Sequence, residues 1–205
     1  MFYIEPMYLV FAIPGLIVAG LASMYTHTMF MEYSRKRASS GMTGAEAAAR
    51  MLSRAGINDV RIERVDGFLS DHYDPLAKTL RLSPKVYDED SLSAIGVACH
   101  EAGHALQHAA GYFPMHIRSQ LVPMANIGSY LSYGAIILGF ILQAGHLVML
   151  GAILFSAVVL FSIVTLPVEW DASARAKKLM VSSGIVSEQE RDGAGKVLNA
   201  AFMTY

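Results

Sequence analysis

His100-Glu101-Ala102-Gly103-His104 stands near the middle of the chain, inside a run from Ser91 to Gly111 that the spacing predicts to be a helix. A helix turns about 100° per residue, so positions i and i+4 share one face and lie roughly 6 Å apart along the axis. Two imidazoles at that spacing can bind one tetrahedral metal ion, and Glu101 then lies near the water on that metal. Asp90 or Ser91 can cap the start of the helix and Gly111 can end it. Ile95, Val97, Ala98, Cys99, Ala102, Ala105 and Leu106 make it apolar on nearly every side, so most of it should be buried. Buried His and Glu need partners, and a metal ion is one. The five-residue pattern is short enough to arise by accident, and its plainer reading is a pair of hydrogen-bonded core histidines. The small residues packed around it favour the metal.

Outward from this helix the composition is that of a membrane protein. The chain has 205 residues, of which 54% are hydrophobic and only 16% charged, against about a quarter charged in soluble domains. A net charge of −1 implies neither nucleic acid nor an acidic surface as a partner. The single cysteine, Cys99, excludes an intrachain disulfide; it is offset by about 100° from His100 and reads as a small core residue. Three apolar stretches approach the roughly 20 residues needed to cross a bilayer: Met7 to Phe30, Ile127 to Leu142, and Leu147 to Leu166. The first is too long for a signal peptide and has no basic residue before it. Gln143–His146 separates the other two, which predicts a tight helical hairpin. Gly128, Gly134 and Gly139 suit close helix packing, and Tyr130 and Tyr133 suit an interfacial belt. A chain this short has no globular core large enough to hide such a hairpin.

All sixteen Lys and Arg fall within residues 35–118 and 175–196. Three spans put both regions on one side of the bilayer, and the positive-inside rule makes that side cytoplasmic. Within the first region, Thr43-Gly44-Ala45-Glu46 reads as a capping box that starts a helix ended by Gly56. Val60–Val65 alternates as a strand, and Lys78–Leu82 reads as its hairpin partner, with the Asp74-Pro75 turn between them. A two-stranded hairpin is marginal alone, so it should pack on the 91–110 helix. Its exposed edge could accept an extended peptide. The stretch around Pro114 and Pro123 reads as a connector.

A catalytic zinc takes three protein ligands and keeps one position open. His108 lies about 12 Å along the same helix from His100 and cannot reach the same ion, so it is expected at the rim or in a structural role. The longer HExxHxxGxxH pattern fails, because Gln107 and Ala110 stand where Gly and His are required. Glu169 is the preferred third ligand: a carboxylate following an apolar span is costly unless partnered, and a second helix starting there would present it to the histidines. Asp171 is the rival. The plain alternative is a solvated acid at the membrane surface.

Ser40–Ala45, Leu69–Pro75, Leu80–Ser83, Ala98–Gln107, Leu121–Asn126 and Thr165–Glu169 together resemble the YugP-type neutral zinc metallopeptidases, a family of membrane proteins, over almost the whole chain. The resemblance implies an α-helical membrane protein with a small α+β zincin-like domain and three transmembrane helices. Its organisation would be an N-terminal transmembrane helix (1–31), a catalytic domain (32–126), a transmembrane hairpin (127–167) and a helical segment supplying the third ligand (168–205). It implies a gluzincin-like site in which His100, His104 and Glu169 bind Zn²⁺ and Glu101 is the base. Members look longer at the C-terminus, with a further apolar segment after the position of residues 199–205, so a fourth transmembrane helix is expected to be missing from this chain. Related HtpX-like proteases carry an acid four positions after the third ligand, where this chain has Ser173. The partner of the first ligand histidine is therefore open between Asp171 and Asp71.

The implied activity is metalloendopeptidase cleavage of peptides or proteins, membrane proteins among them, at the bilayer. A zinc-activated water attacks the carbonyl, and Glu101 takes its proton and delivers it to the leaving amine. Donors for the oxyanion are sought in His72, Tyr73 and Arg175. His72 and Tyr73 lie in the loop between the strands, where ordinary turn chemistry is the equal alternative. His27, His116 and His146 fall at span ends or connectors and are expected at interfaces. The competing class is a non-catalytic membrane scaffold stapled by a structural zinc with four protein ligands; hydrolysis of a non-peptide bond is a third reading.

Overall fold

A computed structural model describes residues 6–67 and 70–203. Leu69 and the last two residues, quoted above in the family comparison, lie outside the described residues. The elements in chain order are α1 (Pro6–Tyr33), α2 (Gly44–Arg54), β1 (Arg61–Arg64), β2 (His72–Asp74), β3 (Thr79–Leu82), α3 (Pro84–Asp88), α4 (Leu92–Ala109), α5 (Phe113–Ile141), α6 (Gly145–Ser182) and α7 (Glu188–Phe202).

Three of these helices are long and apolar enough to cross a membrane: α1 from Ile13 onward, α5 and α6. Many of their apolar side chains are exposed among the described residues. Leu16 is 71% exposed, Val18 66% and Ile163 57%, which is the surface expected of helices solvated by lipid. Both α5 and α6 outrun the stretches expected from hydropathy. The expected connector around Pro114 and Pro123 is the first half of α5: Pro114 stands in the first turn, where its missing N–H has no partner anyway, and Pro123 lies inside the helix. Likewise α6 continues through Pro167 to Ser182, so Glu169 is presented by the same helix rather than by a new one. Of the three glycines expected at the hairpin interface, Gly139 is there, its face against Val148, while an added Cβ at Gly134 would meet open space.

The buried core lies at one end of this arrangement. Met51 of α2, Leu80 and Leu82 of β3, Ile95 of α4, Met180 of α6 and Ile185 after it are all essentially inaccessible. Thus α6 is exposed along its first half and buried against α4 and α7 along its second. The α2 cap forms as its sequence requires: Thr43 Oγ1 accepts from the Glu46 N–H, and Glu46 Oε2 accepts from the Thr43 N–H. Ser91 caps α4 by accepting from the Ala94 N–H at 3.2 Å, and Gly111, at φ +63°, follows its end.

The sheet corrects the expected two-stranded hairpin. It has three strands in the order β1-β3-β2. β1 runs parallel to β3, Arg61 opposite Thr79, and the antiparallel partner of β3 is β2, Tyr73 opposite Leu80. The tight turn explains the difference. Asp74 Oδ1 accepts from the Leu76 and Ala77 N–H groups at 3.0 Å each, and Lys78 adopts φ +47°. That Asx-type turn joins β2 to β3, so β1 must take the other edge, with residues 65–78 as the long connection parallel pairing needs. β2 and β3 pack on α4, which brings the β2 edge beside the His-Glu motif.

Candidate metal centre

The packing of α4 on α6 brings His100, His104 and Glu169 together. One potential ligand atom from each lies within 4.8 Å of the others. His100 Nε2 is 3.0 Å and His104 Nε2 3.7 Å from Glu169 Oε2, and the two rings meet edge to face at 4.9 Å. Gly103, between the two histidines, makes this approach possible: a Cβ there would lie 2.6 Å from the Ala172 carbonyl oxygen. His104 and Glu169 are almost completely buried, and His100 is partly so.

The outward nitrogen of His104 is held in a way that decides its tautomer. Gln107, wholly buried, donates its two amide hydrogens to Val168 O at 2.7 Å and Asp171 Oδ2 at 2.8 Å. Its Oε1 must then accept, and it lies 3.0 Å from His104 Nδ1. Nδ1 therefore carries the proton and the Nε2 lone pair faces Glu169. His100 Nδ1 lies 3.1 Å from Ser173 Oγ, a hydroxyl able to accept from it in the same tautomer. Ser173 is thus the partner left open between Asp171 and Asp71. Asp171 instead receives Gln107 and Arg175 Nε at 2.6 Å, and Asp71 receives the Ser83 N–H at 2.7 Å and its hydroxyl at 3.0 Å.

The donor set fits a borderline-soft divalent ion such as zinc. It offers two imidazole Nε2 lone pairs and one carboxylate, each backed by a further hydrogen bond or ion pair. Glu169 Oε1 is buried without a hydrogen-bond partner among the described residues, although Arg118 Nη2 stands 3.1 Å from it. That ion pair is all that faces Oε1 among the described residues, and a cation at the Nε2–Oε2 convergence would further offset the cost of burying the carboxylate.

Glu101, at the next position on α4, lines the same cleft as His100 and Glu169. Desolvation by the surrounding protein pushes its carboxyl up to about 7, and its Oε2 accepts from the Tyr73 backbone N–H at 3.1 Å. The Tyr73 phenol turns away, 2.9 Å from His108 Nδ1, and desolvation raises its pKa to about 12. His108 lies in turn beside the His116 ring at 6.0 Å. His72 is exposed on the β2 edge, with Nδ1 2.7 Å from Ser70 O, and Arg175 pairs with Asp171. A cleft of about 700 Å³ opens over the site. Its walls include His27 of α1, expected at an interface, together with Asp71, Val97, His100, Glu101 and Glu169.

Sequence reasoning missed two residues here. Gln107 entered only as a departure from a longer motif, though a polar side chain three positions after His104 on a buried helix needs partners. Arg118 is a lone cation at the start of a long apolar helix, and the same logic that paired Glu169 would have paired it.

The fold and site are those of a helical protein with a His-Glu-His helix completed by a distant glutamate. Residues 8–205 match the family described as "Putative neutral zinc metallopeptidase", and the chain belongs to it. It is 44% identical over 199 residues, 97% of this chain and 88% of the relative, to the "Putative membrane protease YugP" of Bacillus subtilis (strain 168). No solved structure matches the chain.

Proposed function

We propose that this chain is a membrane-embedded zinc metalloendopeptidase. The observation that carries the reading is the convergence of His100, His104 and Glu169 ligand atoms within 4.8 Å, with Glu101 lining the same cleft. The family and the relative's name support it. In this reading residues 1–31 anchor the protein, 32–126 form a zincin-like catalytic domain, 127–167 span the bilayer as a hairpin, and 168–205 supply Glu169. The basic residues near the spans support a cytoplasmic catalytic domain, and peptides or proteins are the substrates.

Bound zinc would supply Lewis acidity at the scissile carbonyl and make a water a nucleophile near neutral pH. Glu101 accepts the proton as the water oxygen bonds to the carbonyl carbon, and returns it to the nitrogen as the C–N bond breaks. The Tyr73 N–H holds one oxygen of Glu101, leaving Oε1 free for this transfer. Tyr73 therefore acts on the base through its backbone, and His72, exposed on β2, is the side-chain donor candidate. The rival reading, a scaffold with a closed structural zinc, needs a fourth protein ligand. Asp171 and His108, its candidates, are engaged by Gln107 with Arg175 and by Tyr73.

The test is metal analysis of the purified full chain, joined to casein and peptide cleavage in detergent with and without a zinc chelator. Glu101→Gln should keep its zinc and lose activity by at least about 10²–10⁴-fold. A fully active Glu101→Gln protein removes Glu101 from the mechanism, and a zinc-free chain under replete conditions ends the reading.

A further inference from the structure

The cleft above the metal centre is walled on one side by α1. Gly20, Ser23, Met24, His27 and Phe30 line it together with His100, Glu101 and Glu169. Positions 20, 23, 24 and 27 follow the i, i+3, i+4, i+7 spacing of one helical face. Leu16 and Val18, elsewhere on α1, are exposed apolar side chains, whereas Gly20, Ser23 and His27 put small and polar groups on the face that lines the cleft with the catalytic groups. An ionisable residue such as His27 is tolerated in a membrane-spanning helix when it faces a cavity rather than lipid.

A second wall is α7, contributing Val197, Leu198 and Phe202, an apolar lining. The two walls are tied: Thr26 Oγ1 donates to Ala200 O at 2.6 Å, and its second close acceptor is Ala22 O at 2.9 Å. α1 packs on α7 and α4, whereas α5 packs along α6; among the described residues α1 makes no comparable packing with that hairpin. The cleft lining includes no residue of α5 and only Glu169 of α6, so the hairpin does not wall the cleft on that side of α1.

We propose that the substrate is an apolar membrane-spanning segment that enters the cleft sideways from the bilayer, between α1 and the α5–α6 hairpin, and lies in extended form along the Gly20–Ser23–His27 face of α1. This rests on the peptidase reading above and adds the class of substrate. A helix is about 10–12 Å across with side chains and has its carbonyls engaged in its own hydrogen bonds. A cleft of about 700 Å³ suits a few unwound residues instead, so cleavage falls where the substrate helix is weakened by glycine.

The experiment uses the full chain carrying Glu101→Gln in phosphatidylcholine vesicles, with a photoreactive benzoylphenylalanine at position 23 or, on the opposite face of α1, at position 18. The probe is a lysine-flanked peptide of about 20 leucines and alanines with a central Gly-Gly pair. Crosslinking should favour position 23 by about tenfold or more, a difference of about 1.4 kcal/mol. Equal yields at positions 18 and 23 overturn the proposal. In the otherwise unaltered protein, Gly20→Leu places its side chain in open space, with no atom within 4 Å of the new Cβ, so zinc content should stay full. KM for the membrane peptide should rise about tenfold with kcat nearly constant, as expected when only binding is lost. An unchanged KM also overturns the proposal. The crosslinking arm does not depend on turnover. Failure of the peptidase reading, seen as absent zinc or absent cleavage, is thereby distinguished from failure of this one.

Discussion

Gly103 of α4 meets the backbone of Ala172 on α6 so closely that an added Cβ would lie 2.6 Å from the Ala172 carbonyl oxygen. This contact, one residue from His104 and three residues along α6 from Glu169, sets the distance between the two halves of the candidate metal centre. Gly103→Ala should force the helices apart. The strain expected of overpacking is about 1–3 kcal/mol, and the larger consequence is a displaced Glu169. The measurement is zinc affinity by chelator competition together with thermal unfolding. Wild-type affinity in the alanine variant would show that the close approach does not set the site.

Removal of the acid itself is the direct test of the third ligand. Glu169→Ala should lower zinc occupancy in elemental analysis and leave Arg118 Nη2 without its neighbour at 3.1 Å. Full occupancy would move the third ligand elsewhere.

Gln107 and Ser173 make the same kind of contact with unequal consequences. Gln107→Leu leaves His104 Nδ1 buried and unpaired, in a place water does not reach. Ser173→Ala affects His100, which is partly exposed and can be hydrated instead. Loss of such outer partners typically costs about 10–100-fold in metal affinity. The Gln107 variant should fall at the upper end and the Ser173 variant at or below the lower. The reverse order in a competition titration would contradict the tautomer assignment.

Glu190 joins α7 to the segment after α1. Burial pushes its carboxyl up, but hydrogen bonds from Ser187 and Ser39 outweigh this and hold it down at about 2, against an ordinary 4.5. A carboxylate whose folded pKa is depressed contributes stability that is present above the ordinary value. That contribution is lost as the pH falls from about 4.5 toward 2. Glu190→Gln should lower the unfolding temperature at neutral pH and flatten its fall across that window. The reading is thermal unfolding against pH in detergent, and parallel curves for the two proteins would count against it.

Much of this molecule is written in local spacing. The i, i+4 histidines, the Ser91 cap, the Thr43–Glu46 box and the three long apolar helices follow from periodicity and side-chain chemistry within a few residues of one another. Helix extents were less legible, because Pro114, Pro123 and Pro167 mark turns in soluble chains yet sit inside α5 and α6 here. Strand pairing was misread for a similar reason: alternation identifies β1 and β3, but the short β2 that separates them in the sheet has three residues and little pattern.

The sequence by itself determined which residues share a helical face, since a fixed rotation per residue makes that a local property. It could place His100, Glu101 and His104 together and name Glu169 as a carboxylate in need of a partner. Tertiary structure alone decided that Glu169 meets both imidazoles, that Gln107 and Ser173 orient them, and that one face of α1 walls the cleft. Those relations join residues far apart in the chain. They depend on how closely two helices can pack, which at Gly103 is a matter of one missing methyl group.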